Sequence, residues 1–340
     1  MANGTLLDYE NAPSHAITVR VTDQGWPVKR RPSFLGALTF ACGLLFATVA
    51  GAQIARDDPR LNANQIHFEY GIAHKPEHET ILVALKSARL LETLQELLSP
   101  LRLPFPITLK MEDCDGAIQA YFDHSTVKVC YEYLACVMKY VPKMEKQGLS
   151  VRDAILGPAI DVFLHEFGHG LVRVLEVPFF GKEEDVADYI GTYLLLEFCK
   201  DDARRLILGA LFIGDAEALE AQGKAPELRA LADTHSLPAQ RYFNRWCMAY
   251  GADPKLFSDA IEIGMLPEAR VKWCKYEWQS NRFAFQQLVE PFIDKPMKDK
   301  IVGRGWFKFE SPVPDSMNAP KAVLERIQSG LPSQPPASMK

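Results

Sequence analysis

The residues with the clearest capacity for chemistry are two histidines four positions apart with a glutamate between them, in the run His165-Glu166-Phe167-Gly168-His169. On a helix the i and i+4 positions share a face, so two neutral imidazole nitrogens can converge on one metal ion. Zinc takes histidine nitrogen at about 2.0–2.1 Å, and in catalytic sites it keeps a position open for a water whose pKa falls to about 7. Glu166 lies where it can take that water's proton, so the expected chemistry is metal-assisted hydrolysis with Glu166 as general base and Zn2+ as cofactor. A purely structural zinc site has no need of the carboxylate and is normally closed by four protein ligands.

A catalytic zinc site needs a third ligand, and the next helical segment offers acids in Glu183-Glu184-Asp185-Val186-Ala187-Asp188. Glu184 and Asp188 are one turn apart on one face. Glu184 is assigned to the metal beside His165 and His169, with Asp188 behind it, accepting the outer ring N–H of His165 and fixing its tautomer. Glu183 and Asp185 stay open as alternative ligands, and a directly ligating Asp188 would mark a different subclass. Val172 and Leu175 stand where the longer metzincin motif has its glycine and third histidine, which removes that subclass.

The His165 to His169 stretch followed by Glu184-Asp185-Val186-Ala187-Asp188 resembles the Glu-x-x-x-Asp second helix of gluzincins, among them thermolysin-like and Ste24-like peptidases, at a shorter spacing than in thermolysin-like enzymes. Over about residues 65–295 the chain more closely resembles a bacterial family of metallopeptidase-like proteins whose domain is of unknown function. The likeness rests on the Cys-flanked hairpin ahead of the zinc helix, on His235-Ser236-Leu237-Pro238-Ala239-Gln240-Arg241 leading to Cys247, on Leu266-Pro267-Glu268-Ala269-Arg270, and on Cys274. Gln119-Ala120-Tyr121 is similar to the Asn-Ala-aromatic edge strand along which thermolysin-like enzymes align a peptide, and such an edge offers backbone groups for strand addition. His235, with Arg241, is a candidate to stabilise the oxyanion that forms when water attacks a carbonyl.

The elements that must position these groups are legible in outline. Ile66–Tyr70 and Ile107–Met111 read as strands, and Ala117–Phe122 with Thr126–Tyr131 reads as a hairpin. Leucines at helical spacing between Pro76 and Pro100 predict one helix there. Further helices are expected over 131–140, 151–175 and 184–199, and through most of 204–292. Strands followed by helices give an α+β fold, zincin-like, with a small N-terminal β-sheet carrying an edge hairpin packed on a predominantly helical body.

Lys29-Arg30-Arg31, the apolar run from Phe34 to Ala50, and Ala50-Gly51-Ala52 have the layout of a signal peptide cut after Ala52. The expected organisation is therefore an extension and signal peptide over 1–52, a linker over 53–64, a zincin-like domain over 65–295, and a Pro-rich, poorly ordered tail over 296–340. This implies a periplasmic or secreted bacterial protein with no stable membrane span after cleavage, an uncleaved anchor being the alternative. Seven cysteines occur, and the six beyond Cys42 allow three disulfides in an oxidising compartment, with Cys114–Cys130 the first expected pair and Cys247–Cys274 the second. A net charge of -5 with scattered Lys and Arg excludes a nucleic-acid footprint. The expected partner is a peptide or protein substrate. A zinc-stabilised binding or assembly protein of the cell envelope, and a zinc hydrolase of another amide, are the competing functions.

Overall fold

Alternation of apolar and polar residues builds the sheet. In strand β2 (Ile107–Glu112), Ile107, Leu109 and Met111 are buried, while Lys110 and Glu112 turn to the wetter face. There Lys110 pairs with Glu69 at 3.1 Å and Glu112 with Lys128 at 2.6 Å. β1 (Ile66–Tyr70) runs parallel to β2, β2 parallel to β4 (Thr126–Cys130), and β3 (Ala120–Asp123) antiparallel to β4, giving the order β1-β2-β4-β3 with β3 at one edge. The protein is seen here as a computed structural model that describes residues 56–307, without 147, 199, 221–225 and 263–265. The signal-peptide region, residues 308–340 of the tail, Cys42 and Cys199 lie outside the described residues.

The helices are α1 (Pro76–Ser87), α2 (Leu90–Leu98), α3 (Tyr131–Met138), α4 (Val141–Glu145), α5 (Val151–Val174) and α6 (Glu183–Leu196). They continue as α7 (Lys200–Glu220), α8 (Leu228–Leu231), α9 (Pro238–Ala252), α10 (Asp259–Glu262), α11 (Glu268–Leu288) and α12 (Lys295–Ile301). The fold is thus mixed α+β and predominantly helical, as the sequence implied. No helix among the described residues is long and apolar enough to cross a membrane.

Three expectations change. The single helix between Pro76 and Pro100 is two, because Arg89 adopts a left-handed backbone (φ 54°). That conformation costs roughly 1–2 kcal/mol. It lets α1 pack on α3 while α2 packs on β1 and α5, and burying each of Leu90, Leu91 and Leu94 returns about 1.5–3 kcal/mol. The first hairpin strand is shorter than expected, starting at Ala120, although Gln119 still accepts a backbone hydrogen bond from Cys130 at 3.1 Å. Order also continues past residue 295, since α12 and the buried Phe307 belong to the folded body rather than to a tail.

α5 is buried on nearly every side, as an apolar-all-round helix must be. Ser150 caps its start by accepting from the Asp153 N–H at 3.0 Å. Small residues let its neighbours come close: a Cβ on Gly168 would lie 2.9 Å from Ala187 Cα on α6, and one on Gly191 of α6 would lie 3.1 Å from the His165 backbone nitrogen. Gly209 on α7 passes closer still, since a Cβ there would meet the Asp153 carbonyl at 2.4 Å. The expected disulfides Cys114–Cys130 and Cys247–Cys274 are both present, the second joining α9 to α11, while Cys136 is free.

Candidate metal centre

His165 and His169 lie on consecutive turns of α5, both buried, with ring centroids 5.0 Å apart. α6 crosses over them where Gly168 meets Ala187. This crossing brings Glu184 Oε2 to 3.3 Å from His165 Nε2 and 3.2 Å from His169 Nε2. Donors held about 2.0–2.1 Å from a tetrahedral ion stand about 3.3 Å from one another. Two imidazole nitrogens and one carboxylate oxygen at that spacing therefore suit zinc in both donor chemistry and size.

The outer ring nitrogens are also engaged, which sets the rings' orientation. Asp188 Oδ1 stands 2.8 Å from His165 Nδ1, and Glu183 Oε1 stands 2.7 Å from His169 Nδ1. The three neighbouring acids at the start of α6 thus face different ways. Glu184 meets the Nε2 pair, Glu183 meets the back of His169 with Arg173 donating to it at 3.1 Å, and Asp185 lines a separate cleft with Arg270.

Behind Asp188 is a charged cluster. Arg241 donates to its two oxygens at 2.6 and 2.7 Å, and Arg245 bridges Asp188 and Asp161 at 3.0 Å to each. Burial alone would raise the Asp188 carboxyl, but Arg245, Arg241 and His165 outweigh it and hold the group well below the usual range. Asp161 has less compensation, and burial pushes it up. For Glu184 the hydrogen bond with His165 dominates and lowers the carboxyl to about 2. Burial opposes a charge on His165, yet its bonds to Asp188 and Glu184 lift it to about 9 without a metal. Burial pushes the Glu166 carboxyl up, against the opposing pull of His165 and His169.

A cavity of about 310 Å³ opens beside these groups, lined among others by Gln119, Ala120, His165, Glu166, His235 and Arg241. Gln119 and Ala120 bring the free edge of the sheet to it, whereas Tyr121 is not part of the lining and instead lies under the Lys128 ammonium, 5.2 Å from its ring centre. His235 reaches in from the loop before α9, with Nε2 3.0 Å from Glu184 Oε2 and Nδ1 3.0 Å from Asp233. Lys182 fastens that loop by donating to the carbonyls of Asp233 and His235 at 3.1 Å each. Arg241, expected toward the oxyanion, spends its Nε and one terminal nitrogen on Asp188.

Sequence reasoning overlooked Asp161, Arg245 and Asp233. Two of them carried a signal, since Asp161 is four residues before His165 and Arg245 four after Arg241, placing each on the same helical face as a residue already singled out.

Residues 70–289 match the family model DUF4344, described as "Putative metallopeptidase". No curated protein and no solved structure matches the chain.

Proposed function

The chain belongs to the DUF4344 family of metallopeptidase-type domains, and on that premise we propose that it is an exported zinc peptidase hydrolysing peptide bonds within peptide or protein substrates. The observation that carries this reading is the convergence of His165 Nε2 and His169 Nε2 on Glu184 Oε2, with Glu166 lining the adjoining cavity. His165, His169 and Glu184 would hold the zinc. Bound there, zinc supplies a Lewis acid that polarises a carbonyl and acidifies water.

The chain's own residues do the rest. Glu166 accepts a proton from the attacking water and returns it to the leaving amine, a role favoured by the burial that raises its carboxyl. His235, oriented by Asp233 at Nδ1, donates from Nε2 to the developing oxyanion in the form that carries a proton on both ring nitrogens. Asp188 and Glu183 keep the two ligand imidazoles turned with Nε2 inward. Ala120, on the edge strand, offers backbone groups against which an extended substrate aligns, with Gln119 beside it in the cavity lining.

Export is read from the basic-apolar-small layout of residues 29–52, and the disulfides Cys114–Cys130 and Cys247–Cys274 suit an oxidising compartment such as the periplasm. The test is a peptide-library assay of zinc-loaded protein beside Glu166→Gln, with metal content measured for both. Glu166→Gln is expected to keep its zinc and lose about 10²–10⁴-fold in turnover. Zinc bound by both proteins with cleavage by neither would reject peptide hydrolysis and favour a zinc-stabilised binding protein.

A further inference from the structure

A second group of ligand-type side chains gathers where the chain leaves β1 for α1 and β2 for β3. His78, on α1 with its side chain 2% exposed, turns Nδ1 onto Asp113 Oδ1. His74, one helical turn earlier in the sequence, stands with Nδ1 3.0 Å from the other oxygen, Asp113 Oδ2. Glu132, in the first turn of α3, brings a second carboxylate, and the donor atoms of His78, Asp113 and Glu132 all lie within 4.8 Å of one another.

The surroundings already orient these groups. The backbone N–H of His74 donates to Asp113 Oδ2, and Glu132 accepts from the N–H groups of Cys114 at 3.1 Å and Gly116 at 2.8 Å. Such bonds fix a carboxylate while leaving it lone pairs for a metal. The Cys114–Cys130 disulfide further ties the residue after Asp113 to the strand end that leads into Glu132. Both carboxylates are buried, the Asp113 and Glu132 side chains being 7% and 6% exposed; Asp113 has the His74 and His78 rings against it, while the lysine nearest Glu132, Lys75, stands 3.8 Å away and is 46% exposed. A cation among these groups would stand nearer to Glu132 than Lys75 does.

We propose that His74, His78, Asp113 and Glu132 form a second divalent-cation site, sharing no residue with the centre on α5 and α6. Two imidazoles select a first-row transition ion over calcium or magnesium, and two carboxylates complete a four-ligand set of the closed, structural kind. The ion ties α1, the loop after β2 and α3 together beneath the sheet end that leads to the Gln119 edge. Its role is to brace that edge rather than to take part in hydrolysis.

The probe is zinc, counted by mass spectrometry after loading and gel filtration of the purified protein. About two ions per chain are expected in the unaltered protein, and about one each in His165→Ala/His169→Ala and in His74→Ala. His74, 71% exposed on its side chain, can be replaced without opening the core. Adding His74→Ala to the double variant should weaken zinc binding at least about tenfold and shrink the rise in melting temperature that zinc produces. A double variant that holds no zinc, or one whose zinc is indifferent to His74→Ala, overturns the proposal and leaves His78 and Asp113 as a plain ion pair. One ion per chain that survives His165→Ala/His169→Ala but not His74→Ala would uphold this site and reject the first centre instead.

Discussion

Gly168→Ala tests whether the approach of α6 to α5 sets the metal centre. The new Cβ would lie 2.9 Å from Ala187 Cα and 3.0 Å from its carbonyl oxygen, both backbone atoms that no side-chain rotation can move aside. Ordinary contact begins near 3.4 Å, so α6 must back away locally by about 0.5 Å. Glu184 rides on α6, and its 3.2–3.3 Å spacing to the two Nε2 atoms widens with it. Metal sites tolerate ligand displacements of only about 0.2 Å, so zinc affinity should fall at least about tenfold.

Stability should change less. Overpacking costs about 1–3 kcal/mol, and the better helix propensity of alanine returns about 1 kcal/mol. The assay is zinc titration against a competing chelator, with calorimetric melting of the metal-free protein alongside. Gly168→Val should weaken zinc further than Gly168→Ala. Gly305→Ala, whose Cβ would meet nothing within 4 Å, should leave both readouts unchanged. Zinc affinity within twofold of the unaltered protein in Gly168→Ala would refute the argument that this crossing positions Glu184.

Three further outcomes follow from the same physics. Arg245→Met leaves buried Asp161 and Asp188 short of a cation and should cost about 3–5 kcal/mol in denaturant unfolding, whereas Lys295→Met, at a surface pair with Asp299, should cost under about 1 kcal/mol. Removing Cys247–Cys274, which spans 27 residues, should lower stability by about 3–4 kcal/mol through chain entropy, and reductant should cost the unaltered protein more than that, because it opens Cys114–Cys130 as well. Metal-free protein should melt at falling temperature as pH rises from 6.5 through 9. The folded-state pKa of His165 is raised above its ordinary value, so its contribution is complete below 6.5 and lost above 9. Zinc-loaded protein should show the opposite trend toward acid, because protons compete for the ligand nitrogens, and a flat profile for the metal-free protein would count against the charged His165–Asp188 pair.

The parts of the fold that were legible are those governed by local rules. The expected helices over 151–175 and 184–199 match α5 and α6, the latter with its acidic start, and β2 alternates strictly. The pairing Cys114–Cys130 was readable because the two cysteines flank the hairpin, and Cys247–Cys274, the second expected pair, is also formed. The break at Arg89 was not legible, since no glycine or proline marks it and only the burial of leucines on both sides favours it. Nor were the links of Arg245 to Asp161, 84 positions away, and of Arg241 to Asp188, which depend on α9 packing against α6.

The amino-acid sequence by itself determined which donor atoms exist and that His165, Glu166 and His169 share neighbouring turns, because a helix's own hydrogen bonds set that spacing whatever surrounds it. Only the tertiary structure decided how the acids of α6 divide among those nitrogens. Glu183, Glu184 and Asp185 are each about 100° apart around their helix, so a modest change in crossing would present a different one. Glu184 faces the Nε2 pair because Gly168 and Gly191 leave room for α6 at one particular angle and depth, a constraint that resides in two helices' contact and in neither one's sequence alone.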